Sequence, residues 1–146
     1  MNKMFIDLEG VIIDTWHAGN FILDWTSEQL RLLVVQYGVR SVELFSYAVD
    51  NDKDKLVVQP ILKYTEQIID VEFSNIITVE NVIEIINWTE YMFTLKQRGK
   101  RFGFIEYVRN IALLDDTVDN YILLDDSVED EVVDMGSYKI IFRQIV

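Results

Sequence analysis

The chain has no cysteine. That excludes disulfides, thiolate zinc sites and cysteine nucleophiles. One proline and six glycines in 146 residues leave no material for a flexible linker, so a single domain spanning 1–146 is expected. There is one histidine, His17, too few for a histidine metal site. Positive charge is scarce: 13 basic residues stand against 25 acidic ones, a net charge of −12. General nucleic-acid binding needs a basic footprint, and only LKQRGKRF (Leu95 to Phe102) offers a local one. No apolar run approaches the roughly 20 residues of a membrane helix. In the first residues Asp7 and Glu9 interrupt the apolar stretch, and no small-residue cleavage site follows. The expectation is a soluble, cytoplasmic protein without a membrane partner.

Half of the residues are hydrophobic, enough for a real core at this length. Their pattern alternates. MFIDLEGVII (Met4 to Ile13) reads as a buried strand, a glycine turn and a second apolar run. WHAGNFILDW (Trp16 to Trp25) is an irregular aromatic connection, whose rings either stack on a ligand or pack the turn. Leu30, Leu33, Val34 and Tyr37 predict a helix starting at Thr26 or Ser27, with Gly38 as its stop. Ser41 to Val49 is the second strand. Lys55 to Ile69 is the next helix, with Pro60 either in its first turn or breaking it. Phe73 to Val79 is a strand, and Glu80 to Arg98 and Lys100 to Leu113 are helices. Tyr121 to Leu124 and Tyr138 to Val146 are the last strands. Strands separated by helices predict an α/β fold with a mainly parallel central sheet, a Rossmann-like three-layer sandwich.

A phrase occurs twice: LLDDTVDN from Leu113 and LLDDSVED from Leu123. The first follows a helix, so Asp115, Asp116 and Asp119 fall in a connecting loop, where the helix dipole gives acids no support. The second follows the strand YILL. Asp125 and Asp126 would therefore emerge at the carboxyl end of a parallel strand, where open α/β sheets place their sites. Asp7 and Glu9 end another strand. If the two strands are central and parallel, Asp7, Asp125 and Asp126 converge. Clustered carboxylates without histidine or cysteine suit a hard cation, Mg2+ above all.

These residues carry a family resemblance. FIDLEGVIIDT (Phe5 to Thr15) resembles the first motif of the haloacid dehalogenase-like (HAD) superfamily, a strand followed by Asp-x-Asp-x-Thr/Val, often DLDGVLxDT. LLDDSVED resembles the fourth motif, a strand followed by DD or GDxxxD. Ser46, at the end of VELFS, resembles the second-motif Ser/Thr. Lys100, opening a helix, resembles the third-motif lysine, with Lys96 and Arg101 as competitors. The resemblance implies a HAD-like core and a Mg2+-dependent phosphatase. Asp7 would be the nucleophile and Glu9 the acid/base. Ser46 and Lys100 would hold the phosphoryl group, and Asp7, the Glu9 carbonyl and Asp126 would hold the metal, helped by Asp125 or Asp130. Glu9 departs from the usual aspartate, although the family's enolase-phosphatases carry a DIEGT form. Only 38 residues separate Asp7 from Ser46, too few for a large cap domain. Capless members tend to act on macromolecular phosphates or to recruit a partner as lid, so a nucleotide, polynucleotide end or phosphoprotein is the implied substrate.

Two other readings fit parts of the pattern. A HAD-like protein with weak or no catalysis could use its acidic face to bind a basic protein. A receiver-like domain also gathers acids at strand ends, but it needs an acid pair at the first strand and a phosphorylated Asp at a later one, a pattern that Asp7-Leu8-Glu9 at the very first strand fits less well.

Overall fold

The computed structural model describes residues 1–146. Six strands form one sheet: β1 (Asn2–Ile6), β2 (Ser41–Phe45), β3 (Glu72–Ile77), β4 (Asn120–Asp125), β5 (Glu131–Asp134) and β6 (Lys139–Gln144). Five helices accompany them: α1 (Leu23–Gln36), α2 (Asp52–Ile69), α3 (Val79–Ile86), α4 (Met92–Gln97) and α5 (Lys100–Ile111). The strand order is β3-β2-β1-β4-β6-β5. All pairings are parallel except that of β5, which runs antiparallel to β6 at the edge. The α/β architecture and the mainly parallel sheet are those the sequence predicts. No helix is long and apolar enough to cross a membrane.

The period-two geometry of a strand builds the layers. On β1, Met4 and Ile6 enter one core with α1 and α2, while Phe5 enters another with α3, α4 and α5. Leu44 and Phe45 on β2, and Leu124 and Leu123 on β4, divide in the same way. Strands covered on both faces must be apolar on both, which accounts for the unbroken runs FI, LF and YILL. In the second core Phe5, Phe45, Phe104 and Tyr107 pack mostly edge to face, fixing α5 against the centre of the sheet.

The chain leaves β1 to build β2 and β3 on one side, then returns to place β4 on the other. This reversal lies between β1 and β4, and a crevice opens outside the strand ends at such a point.

Several boundaries differ from the sequence reading. The second apolar run, Val11 to Ile13, is a tight turn. Its amides turn back on the Leu8 carbonyl, from Ile12 at 2.9 Å and Ile13 at 3.1 Å. A short hairpin follows, closed by Asp14 N to Asn20 O at 2.9 Å. α1 begins at Leu23 because the Thr26 hydroxyl donates back to Val11 O instead of capping. Pro60 lies well inside α2, which neither starts nor breaks there. The carbonyl it leaves without a partner belongs to Leu56, and both residues are exposed, so solvent can satisfy that oxygen. The single helix expected from Glu80 to Arg98 is two, because Asn87 takes a left-handed φ of 56° and ends α3. β5 was not foreseen: four largely exposed residues with acids at both ends carry no strand signal.

Candidate functional site

Three adjacent strands deliver the candidate residues. Asp7 follows β1, Ser46 follows β2, and Asp125 ends β4. Ile6 pairs with Leu124 and with Leu44, so Asp7 and Asp125 leave the sheet side by side. The Asp7 amide extends the ladder to Leu124 O at 3.0 Å. Oxygens of Asp7, Asp125 and Asp126 lie within 4.8 Å of one another.

Lys100 joins them. Its ammonium donates to Asp7 Oδ1 at 2.8 Å, Asp125 Oδ2 at 2.9 Å and the Phe45 carbonyl at 3.0 Å. The lysine and Asp7 side chains are each 9% exposed and Asp125 is fully buried, so this is a desolvated charge triad. The competing cations are engaged elsewhere: Lys96 with Asp50 at 2.6 Å, and Arg101 with both oxygens of Glu131.

One ammonium cannot fully satisfy two carboxylates. Burial pushes the Asp7 carboxyl up to about 7, and Asp125 adds to this while Lys100 opposes it. Burial also works against ionised Asp125, but Lys100 and the two Ser127 hydrogen bonds outweigh it, so that carboxyl stays below its usual value. Burial pulls the lysine down, and the two acids more than compensate, so it holds its proton tightly. Partial burial, then the neighbouring Asp125, raise Asp126.

Asp7, Glu9, Ser46, Lys100 and Asp126 line a cleft of about 330 Å3 together with Gly10, Asp14, Tyr47 and Ser127. The Ser46 hydroxyl is buried. It accepts from Ala48 N at 3.2 Å and donates to no protein oxygen, so its proton is available to a ligand. Glu9 Oε2 accepts from Trp16 N at 2.6 Å, which anchors the hairpin to the cleft wall. Asp125 commits one oxygen to Ser127 N and Oγ and the other to Lys100. The structure does not bring Asp130 to the cluster; its carboxylate accepts from Gln144 N at 2.7 Å. A larger groove of about 420 Å3 between α2 and β3 holds Lys55, Lys63 and Glu66, and no convergent acids lie there.

No family model, curated protein or solved structure matches this chain. The site is therefore read from its own geometry.

Four residues support the site in ways that the sequence reading did not assign, Gly10 having been read only as a turn. Gly10 has φ +78°, and a Cβ there would lie 2.1 Å from Asp126 Oδ2. Only glycine allows this approach. Tyr47 donates to Gly99 O at 2.9 Å, and burial pushes its own hydroxyl up to about 12, so it stays a donor. It packs against Gly103, where a Cβ would lie 1.8 Å from its hydroxyl. Tyr47 thereby holds the start of α5, and with it Lys100, against β2. Ser127 binds Asp125. Its signal was present in the repeated phrase, since Asp115 makes the same pair of hydrogen bonds with Thr117. Of the aromatics near the turn, Trp16 packs on the core and Phe21 on Tyr64, while Trp25 is exposed.

Proposed function

We propose that the protein is a Mg2+-dependent HAD-like phosphatase that works through an aspartyl-phosphate on Asp7. The observation that carries this reading is Lys100 Nζ held between Asp7 and Asp125, beside the undonated Ser46 hydroxyl in one cleft. The reading includes one HAD-like domain over residues 1–146 without a large cap. In support, residues 8–22 are used by the turn and hairpin that bound the cleft.

The donor set fits a hard divalent cation. Asp126 has no ion-pair partner, Asp7 gives only Oδ1 to Lys100, and the Glu9 carbonyl accepts no hydrogen bond from the protein. All three offer oxygen. Asp125 acts instead on Lys100, and Asp130 is outside the set. Such a cation, when bound, neutralises charge on the transferring phosphoryl group.

The chain supplies the rest. Ser46 Oγ–H orients a phosphoryl oxygen, while the Lys100 ammonium, its three N–H bonds directed to Asp7, Asp125 and the Phe45 carbonyl, acts on the phosphoryl group as a point charge. An Asp7 oxygen attacks phosphorus as the ester P–O bond breaks, leaving its electron pair on the departing oxygen. Glu9 gives that oxygen a proton, then takes one from the water that attacks the same phosphorus and frees Asp7. Acid-quenched protein mixed with a phosphate ester should carry one phosphoryl group on the peptide containing Asp7. Asp7→Asn, folded and unlabelled, is the expected control; label on Asp7→Asn contradicts the reading.

A second reading has one observation behind it. Glu9 Oε2, an oxygen the reaction would need for proton transfer, is already taken up by the Trp16 amide at 2.6 Å. A protein that holds phosphate and cation with little turnover, and offers its acidic face to a basic partner, would follow. Phosphate binding without any phosphoryl label distinguishes it.

A further inference from the structure

The ionisable lining of the cleft is one-sided. Asp7, Glu9, Asp14 and Asp126 face a single cation, Lys100, which two carboxylates and a carbonyl already hold. Two cations that flank Lys100 in sequence are also spent, Lys96 on Asp50 and Arg101 on Glu131. A further acid, Glu129, lies beside Lys100 in an adjoining groove. A bound divalent cation reduces this negative charge without reversing it, and the transferring phosphoryl group adds up to two negative charges.

Asp14 fixes the sign of the rim. Its Oδ1 accepts from Thr15 N at 2.6 Å and Asn20 N at 3.0 Å, and its Oδ2 from Asn20 Nδ2 at 3.0 Å. These bonds hold an ionised carboxylate on the wall of the cleft. No free lysine or arginine lines the cleft to receive a second phosphate or a carboxylate. At separations of about 7 Å and surface dielectric, each such like charge costs roughly a factor of five to ten.

We propose that the cleft selects phosphomonoesters whose leaving group is neutral or cationic, and discriminates against esters that carry a second anionic group, with Asp14 as a specificity-determining residue. This rests on the phosphatase reading and narrows it away from nucleoside polyphosphates and polynucleotide ends.

The test compares phosphoethanolamine with 2-phosphoglycolate, which have the same chain length and opposite leaving-group charge. With Mg2+ present, kcat/KM should favour phosphoethanolamine at least about tenfold, and added KCl should narrow the gap. Asp14→Asn keeps an acceptor for the hairpin and removes the charge, so it should narrow the gap several-fold. Calorimetric binding of the two esters to Asp7→Asn should show the same order. Equal use of the two esters, or preference for phosphoglycolate, overturns the proposal and leaves the phosphatase reading standing. An unchanged gap in Asp14→Asn overturns the role of Asp14. Failure to turn over either ester or an aryl phosphate overturns the phosphatase reading, and the proposal with it.

Discussion

Asp7 and Asp125 share one ammonium, and their surroundings divide it unequally. Asp125 has three donors and Asp7 has the lysine alone among side chains. The consequence is a pH dependence. The Asp7 carboxyl rises from 3.8 to about 7 on folding, so its protonated form favours the native state. Its contribution is fully present below about pH 4 and is lost as pH rises through about 7. In chelator, Asp7→Asn should therefore be more stable than the wild type at pH 8, by at most about 4 kcal/mol, and the difference should shrink towards pH 5. Urea unfolding across this range measures it. A second prediction concerns Asp126, whose carboxylate is committed to no ion pair. Mg2+ at ten times its Kd should raise wild-type stability by roughly 1.4 kcal/mol, and Asp126→Ala should abolish most of that increment in thermal melts.

At the scale of elements, loops decide where side chains land. Gly10 lets the turn after β1 lie against Asp126. Gly10→Ala should cost about 1–2 kcal/mol from the left-handed backbone alone, and should also remove the Mg2+-dependent stabilisation by displacing Asp126. Pro60 gives a converse prediction. It interrupts the hydrogen-bond ladder of α2 at an exposed position, so Pro60→Ala should stabilise the protein by about 1–2 kcal/mol, read from urea midpoints. The LLDD phrases show what a local sequence can tell. Asp115-Thr117 and Asp125-Ser127 form the same turn with the same two hydrogen bonds. One ties down a loop below the sheet and the other sits in the charge triad, and the strand that precedes it makes the difference. Apolar runs and their flanking turns made the strands β1, β2, β4 and β6 legible. The left-handed Asn87, the tolerated Pro60 and the acidic edge strand β5 were not, because each depends on what solvent or a neighbouring strand supplies. Lys100 was legible only through the family resemblance, with Lys96 and Arg101 as competitors at the same helix junction; the contacts of Tyr47 with Gly99 and Gly103 hold the start of α5 against β2, where Lys100 reaches Asp7.

Across the whole molecule, topology and charge act together. The strand order places the reversal between β1 and β4, so the acids of two distant segments meet at the crevice this reversal opens. The net charge of −12 then sets which molecules approach: cations are drawn in and polyanions repelled, more strongly at low ionic strength. Asp7, held by Lys100, is the proposed nucleophile towards phosphorus. The most direct measurement of this role is hydrolysis of an aryl phosphate by the wild type and by Asp7→Asn, each with Mg2+ and with chelator. The account predicts turnover only in the wild type with Mg2+, with Asp7→Asn fully folded. Turnover that survives in Asp7→Asn, or none in the wild type with any divalent cation, contradicts it.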